Sequence, residues 1–350
     1  MQIDITRVSE SKIGNYDFDK LEFGKVFTDY MMYSDFDGEK WSDYKIESLK
    51  PISMHPGTSC LHYGQAIFEG LKAYKTIDNK VNLFRLRDNV ERLNRSAARL
   101  QMPQLDVDIA ITAIQEYVAL QKDWVPLRTQ GALYLRPFMT AMDNTLRATP
   151  SITYRFMVIA CPVGFYYDHP LKIKLERNFR RAATGGVGFA KAAGNYAASF
   201  YPAKLAAQQG YQQVLWTDAS TNEFLEEAGT MNVFFRVNDT LITAPTSDRI
   251  LDGVTRKSII QFAEDKGIKV EVRPVKVTEI VEAAKNGELL EMFGAGTAAV
   301  ISPILGFAHK DEKFELPKVE NSYSSLIKKS LTDIQRNLAE DKFGWRFKIQ

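Results

Sequence analysis

The sequence predicts an α/β protein built from two domains, and three observations carry that prediction. Strand-like alternation recurs between stretches of helical periodicity along a chain of 350 residues, long enough for two substantial cores. Composition is that of a globular protein, 45% hydrophobic and 25% charged. The character of the chain then changes over residues 162–170, PVGFYYDHP, a Pro/Gly/aromatic stretch that reads as a domain boundary.

Taken in order, residues 1–50 read as short strands and loops rich in Asp, Tyr, Phe and Lys. His55 to Lys75 places turn glycines at 57, 64 and 70 between apolar pieces, and Val81 to Phe84 is a strand candidate. Asp88 can cap a helix in which Val90, Leu93, Ala97 and Leu100 recur at helical spacing, closed by Pro103. A second helix fits Ile109 to Gln121, and strands fit Ala132 to Thr140 and Ile152 to Cys161. Beyond the boundary, Leu171 to Glu176 alternates as a half-buried strand should. Gly185 to Tyr201, GGVGFAKAAGNYAASFY, reads as an extended glycine-rich run turning into an alanine-rich helix that Gly210 stops. Strands fit Gln213 to Thr217, Asn232 to Val237 and Thr240 to Thr243. A helix follows Gly253-Val254-Thr255 and ends at Gly267; Lys269 to Val275 alternates, Ile280 to Lys285 is helical, and Leu289 to Phe293 is a strand. Gly294 to Ala299 reads as a small-residue loop. The last helix is expected over Tyr323 to Ala339, burying Ile327, Leu331, Ile334 and Leu338.

Several function classes are disfavoured by bulk properties. A net charge of +2, from 45 basic and 43 acidic residues, gives no field that would gather nucleic acid or an anionic membrane. Two cysteines, Cys60 and Cys161, build neither a disulfide framework nor a Cys-rich metal site, which favours a reducing compartment. No metal is expected. The first residues, MQIDITRVSESKIGNYDF, read as neither a secretory signal nor a mitochondrial presequence, and the longest apolar run, Phe156 to Gly164, is too short to span a bilayer. The expectation is a cytoplasmic protein.

The chemistry-bearing features lie mainly in the second half. Lys191 sits between small residues, which leave room for a bulky group on its amine. Apolar crowding disfavours an ammonium, and a neutral amine can condense with a carbonyl. A surface lysine in a Gly/Ala-rich turn is the ordinary alternative. Glu227 ends a polar segment just before an apolar strand, so its carboxylate can lie inside a site. Gly253-Val254-Thr255 and Gly296-Thr297-Ala298 offer backbone N–H groups of the kind that hold phosphate, the first at a helix start. Arg92, Arg95 and Arg99 share one side of the first long helix; a solvated basic face and an anion-binding arginine both fit. A lysine for an aldehyde, a carboxylate for a ring nitrogen and a phosphate cradle are together what pyridoxal phosphate requires. The GGVG run is no dinucleotide fingerprint, because the G-x-G-x-x-G spacing and its later acidic residue are missing.

Residues 227–234 (EAGTMNVF), 241–243 (LIT) and 251–256 (LDGVTR) resemble, in order and spacing, the signature of the class IV aminotransferases. Further pieces are similar to the branched-chain amino acid aminotransferases of that class: Phe23-Gly24, His62-Tyr63-Gly64, Phe68-Glu69-Gly70, Tyr134-Leu135-Arg136-Pro137, Gly186-Val187-Gly188, Lys191 to Tyr196, and Phe293 to Ala298. The likeness runs from about residue 20 to 340. It implies the fold of type IV pyridoxal phosphate enzymes: a small two-layer α/β domain over 1–163, a linker at 164–171, and a larger pseudo-barrel α/β domain over 172–350.

The resemblance also implies roles. Lys191 would carry pyridoxal 5′-phosphate and shuttle the proton, Glu227 would pair with its pyridine nitrogen, and Tyr196 would hydrogen-bond its phenolic oxygen. Arg92, Val254, Thr255 and Thr297 would bind phosphate, with Thr230 near the ring. Phe23, Tyr63, Phe68, Tyr134 and Tyr166 would wall the side-chain pocket. The Thr297-Ala298 amides and Arg136 would handle carboxylates, Arg136 the distal one of glutamate. The implied activity is reversible amino transfer from L-Leu, L-Ile or L-Val to 2-oxoglutarate, in a homodimer whose partner contributes pocket groups. Related alternatives are a D-amino acid aminotransferase, an aminodeoxychorismate lyase, or a catalytically inert binding protein on the same fold. Ala299 and Ser302 stand where some eukaryotic members carry Cys-x-x-Cys, so thiol-based control there is not expected.

Overall fold

The computed structural model describes residues 2–164 and 171–349. The chain divides into two compact units: Met1–Tyr166 with Ala190–Gly194 and Thr332–Gln350, and Tyr167–Phe189 with Asn195–Leu331. Two stretches therefore group differently from the two-piece division expected above. The lysine segment 190–194 and the last nineteen residues, 332–350, belong to the first unit.

In chain order the first unit opens with strands β1 (Ile3–Ile5), β2 (Tyr30–Phe36) and β3 (Tyr44–Ser48), then the short helix α1 (Ser59–Tyr63). Strands β4 (Ala66–Phe68), β5 (Leu71–Lys75) and β6 (Val81–Phe84) lead into helices α2 (Leu86–Arg99) and α3 (Val107–Leu120). Two long strands, β7 (Ala132–Ala141) and β8 (Tyr154–Val163), follow. The sheet order is β1-β3-β2-β8-β7-β5-β6, with β4 paired to β7. Its core face, with Met32, Ile46, Leu71, Leu83, Leu133, Leu135, Phe156 and Val158, forms one apolar cluster with Leu86, Val90 and Leu93 of α2 and Ile114 and Tyr117 of α3. That is the two-layer arrangement of helices on one sheet face.

Helix starts follow local chemistry. Asp106 caps α3, its carboxylate accepting from the Ile109 N–H at 3.0 Å. At α2 the cap position belongs to Arg85, held in the left-handed region, and Asp88 lies in the first turn, paired with the Arg85 guanidinium at 2.7 Å. The cap thus lies three residues before the position expected for it.

The chain continues with β9 (Leu171–Glu176), the short helices α4 (Ala193–Ala197), which starts in the first unit, and α5 (Phe200–Gln208), then β10 (Gln213–Thr217), β11 (Phe224–Ala228), β12 (Met231–Val237) and β13 (Thr240–Thr243). Helix α6 (Val254–Asp265), strands β14 (Lys269–Val272) and β15 (Val275–Lys276), and α7 (Val277–Lys285) come next. The strands β16 (Leu289–Gly296), β17 (Val300–His309) and β18 (Glu312–Glu315) precede α8 (Tyr323–Gln335), and β19 (Arg346–Ile349) pairs antiparallel with β6 in the first unit's sheet.

The strand order β12-β16-β17-β9-β10-β11 returns to its start because β11 also pairs with β12. Six strands thus close on themselves, as the pseudo-barrel expectation requires. Leu215, Phe235, Ile173 and Val233 fill its apolar cluster. Closure leaves these six without a free edge.

Three elements differ from expectation. The alanine-rich helix is broken into α4 and α5, because Pro202 in a continuous helix would clash with the carbonyl four residues back; it sits instead in the first turn of α5. Gly294, Ala295 and Gly296 are strand, not loop, since β17 pairs with all three and β12 pairs with Gly294 and Ala295 on the other side. The last helix stops at Gln335: Asn337 takes a left-handed conformation, φ 60°, and the Leu338 N–H returns to the Asp333 carbonyl, which leaves Leu338 exposed. Among the described residues no helix is long and apolar enough to cross a membrane.

Candidate active site

The first unit positions Lys191 by its backbone. Its N–H donates to Ser96 Oγ on α2 at 2.9 Å, its carbonyl accepts from the Phe68 N–H at 3.0 Å, and Ala192 bridges to Ile67. The segment therefore runs as an extended piece beside β4, with its flanking alanines buried, and the Lys191 amine lies 4.3 Å from the centre of the Phe68 ring.

The same ring carries the guanidinium of Arg136 at 4.5 Å, and Arg136 Nη2 donates to the Tyr134 hydroxyl at 3.1 Å. Phe23 meets the Tyr134 ring edge-on at 4.9 Å. A Cβ on Gly70 would come within 2.1 Å of the Tyr134 hydroxyl, so only glycine leaves that phenol its place. Phe23, Phe68, Tyr134 and Arg136 are thus brought together. Tyr63 lies at the end of α1, 47% exposed, its hydroxyl donating to the Leu146 carbonyl. Tyr166 lies outside the described residues.

Arg92 does not lie on an open basic face. It is buried, and its Nε and Nη2 both donate to the Glu69 carboxylate at 2.7 Å. Glu69 belongs to the quoted Phe68-Glu69-Gly70 piece but carried no role in the sequence reading. Nothing in the spacing linked positions 69 and 92.

In the second unit Glu227 is 3% exposed in β11. Its carboxylate meets Arg181 Nη2 at 2.5 Å and accepts from Asn232 Nδ2 at 3.1 Å. Asn232 Nδ2 also donates to the Leu251 carbonyl at 2.9 Å, tying the carboxylate to the loop that starts α6. Arg181 Nη2 further reaches the Gly188 and Arg249 carbonyls. Tyr196, Glu227 and Thr230 line one cavity together with Arg181, Asn195 and Ser199. Three residues selected on sequence grounds converge there. Arg181, which anchors one of them, was missed, because an Arg-Arg pair in a loop carries no spacing signal.

Neighbouring Glu226 is buried on the same strand. Burial pushes its carboxyl above the ordinary value, while Arg249, donating from Nε at 2.5 Å, works against that.

Gly253 caps α6 with no side-chain hydrogen bond, placing the Val254 and Thr255 amides in the first turn. A Cβ on Gly253 would stand 2.0 Å from Asn232 Oδ1, so the turn needs glycine. Thr297 and Ala298 form the turn from β16 to β17, followed by Val300 at φ 61°, a conformation costly for a β-branched residue. Among the described residues no group of three His, Cys, Asp or Glu is placed to hold a metal ion.

The donor set fits a phosphorylated pyridine aldehyde. In the second unit a buried carboxylate fixed by an arginine, a tyrosine lining the same cavity and a bare helix start occur together; Lys191 is held on an extended segment of the first unit. The family described as Amino-transferase class IV matches residues 66–306. The chain is 40% identical to branched-chain-amino-acid aminotransferase 2 of Bacillus subtilis (strain 168), over 95% of this chain and 93% of that one. It is 44% identical to the probable branched-chain-amino-acid aminotransferase of Staphylococcus aureus (strain N315), over 93% of each. A crystal structure of the Escherichia coli branched-chain amino acid aminotransferase superposes with a TM-score of 0.74 at 25% identity, covering 92% of this chain and 99% of that one. The chain belongs to the class IV aminotransferases, in their branched-chain amino acid branch, and is an enzyme.

Proposed function

We propose that the enzyme moves the amino group of L-leucine, L-isoleucine or L-valine to 2-oxoglutarate, leaving a branched 2-oxo acid and L-glutamate, with pyridoxal 5′-phosphate as cofactor. What chiefly supports this reading is the cavity where Tyr196, Thr230 and the arginine-anchored Glu227 converge. When bound, the cofactor supplies an aldehyde and a cationic ring that draws electrons from the substrate Cα.

The chain's residues do the rest. With the cofactor bound, Lys191 would hold it through its amine and would take and return the proton at the substrate Cα, a general acid–base contribution of roughly 100- to 10,000-fold. Glu227, kept in place by Arg181 and Asn232, holds the proton on the ring nitrogen. Tyr196 would hydrogen-bond the cofactor's phenolic oxygen, and Thr230, which lines the same cavity, would stand near the ring. The amides of Val254 and Thr255 at the start of α6, with Thr297 and the Glu69-supported Arg92, bind phosphate.

Phe23, Phe68 and Tyr134, with Tyr63, would wall the apolar pocket, where burying a branched side chain is worth about 1.5–3 kcal/mol. Arg136 and the Thr297-Ala298 amides take carboxylates. The enzyme works as a homodimer in the cytoplasm: Leu61, Tyr63 and Leu146 are exposed around α1, where a second copy would cover them, and both cysteines are free thiols.

The test is turnover of L-leucine with 2-oxoglutarate, measured beside D-alanine and aminodeoxychorismate. L-leucine is expected to be the good donor, and its failure would overturn the reading. Lys191→Ala is expected to lower turnover by at least about 100-fold.

A further inference from the structure

Asp29, the residue directly before β2, is only 4% exposed, and a carboxylate so buried is costly unless hydrogen bonds satisfy it. Its donors come from the far end of one loop and from the core beside it. Oδ2 accepts from the Ser11 hydroxyl at 2.5 Å and from the Trp124 indole N–H at 2.7 Å. Oδ1 accepts from the Lys12 N–H at 2.9 Å. The Asp29 carbonyl accepts from the Leu49 N–H at 2.7 Å, and the Thr28 N–H donates to the Ala160 carbonyl on β8, which fixes this end of the loop to the sheet. One side chain thus closes residues 13–28 at their base, on the plan of an Ω-loop.

The loop is tied along its length as well. The Tyr16 and Phe18 rings pack on Trp124 with centres 5.8 and 6.2 Å away, and Gln130 Nε2 donates to the Asp19 carboxylate at 2.8 Å. Ile13, Phe18 and Val26 pack on the core of the first unit, while Phe23 keeps 37% of its surface exposed. At the tip Gly24 has φ 73°, and Phe23 meets the Tyr134 ring edge-on at 4.9 Å. Burial pushes the Cys161 thiol up, and the Gly24 N–H, which reaches it, draws it back. Tyr134 and Cys161 are register partners on β7 and β8, so the tip meets the sheet at one spot.

We propose that Asp29 is a positioning residue: by closing the 13–28 loop it sets how near Phe23 stands to Tyr134, and so how large an amino-acid side chain the enzyme accepts. This rests on the function proposed above. Asp29 touches no reacting atom and acts only through the loop. Hydrogen bonds to a charged oxygen are the strong kind, so the closure holds the loop firmly. A loop closed at its base leaves its tip few positions, whereas an open one gives it many. With the base closed, Phe23 is one fixed wall for L-valine, L-leucine and L-isoleucine. With it open, the wall recedes, the smaller side chains lose contact, and a larger apolar one gains room.

The test compares the holoenzyme with Asp29→Asn, which keeps the shape of the side chain and puts an NH2 where an acceptor stood. Trypsin reads the loop directly, through cleavage after the exposed Lys20 and Lys25. Cleavage is expected to speed up about 10- to 100-fold, as for loss of hydrogen bonds to a charged group. The kcat/KM for L-valine is expected to fall roughly 10-fold, through KM, and that for L-phenylalanine not to fall. In a Phe23→Ala background, Asp29→Asn is expected to leave the valine-to-phenylalanine ratio unchanged within about twofold, because the wall it sets is gone. Faster cleavage with an unchanged ratio means a purely structural role and overturns the proposal. Unchanged cleavage overturns it too, as does a ratio shift that persists in full without Phe23. Should Asp29→Asn not fold, Trp124→Phe, which removes one donor and keeps a ring for Tyr16 and Phe18, is subject to the same criteria. Any of these results in an enzyme whose wild type turns over L-leucine overturns this proposal alone; a wild type without L-leucine turnover overturns both.

Discussion

Glu227 and Arg181 form a buried pair whose contacts reach well beyond themselves. Arg181 joins the β11 carboxylate to the Gly188 and Arg249 carbonyls, and Asn232 joins it to the loop before α6. The carboxylate is therefore held from two sides before any ligand arrives. Preorganisation of this kind spares reorganisation at the moment of reaction. Glu227→Gln keeps the shape of the side chain and removes its charge. Turnover is expected to fall at least about 100-fold while the folded variant still retains its cofactor, read from visible absorbance, because the phosphate contacts are elsewhere. A matching loss of cofactor would rule out the ring-nitrogen role.

At the scale of elements, strand register and helix termini decide where side chains fall. Closure of β11 onto β12 fixes the register in which Glu227 faces Asn232. In the other unit, the β5–β7–β8 register sets Lys72, Tyr134 and Cys161 in a row. A slip of one residue would send each row to the opposite face. Helix α3, which covers the first unit's sheet, depends on its start: Asp106 satisfies the Ile109 N–H, one of four donors the helix cannot pair internally. Asp106→Ala is expected to cost about 1 kcal/mol, seen as a lower urea midpoint with an unchanged slope.

For the molecule as a whole, acid stability follows from buried carboxylates. Burial pushes Glu291 up, but the Ser322 and Ser324 hydroxyls, Arg236 and the Tyr323 N–H together bring it below its ordinary 4.5. It serves as the remote cap of α8, accepting from the Tyr323 N–H at 2.7 Å. Asp143 and Asp218 are also held below their ordinary 3.8: burial raises both, and N–H and hydroxyl donors of Ile152, Thr153, Thr221 and Phe224 outweigh it. A carboxyl lowered in the folded state adds stability above its unfolded pKa and loses it as pH falls through the folded value. Glu226, raised by burial, acts in the opposite sense and loses stability as pH rises through its folded value. Because the lowered carboxyls outnumber the raised one, the melting temperature is expected to fall steeply below about pH 4, and Glu291→Gln to flatten part of that fall. A melting temperature level down to pH 3 would contradict the assignment.

Much of the fold and site was legible from residue order. Alternation located β9, helical spacing located α2 and α3, the 227–256 run pointed to the family, and the small residues around position 191 singled out Lys191. Such features are readable because periodicity, caps and local motifs are written in neighbouring residues. The break at Pro202 was readable on the same ground and was passed over. Other features had no local signal. β19 finds its partner in β6 from the far end of the chain, and Gly294 to Gly296 become strand only because neighbouring strands, β17 throughout and β12 at the first two, hydrogen-bond to them. Glu69 meets Arg92, Arg181 meets Glu227, and Lys72 joins Tyr134 across strands far apart in the chain. Those pairings arise from sheet register and packing between distant segments, which exist only once the chain has folded.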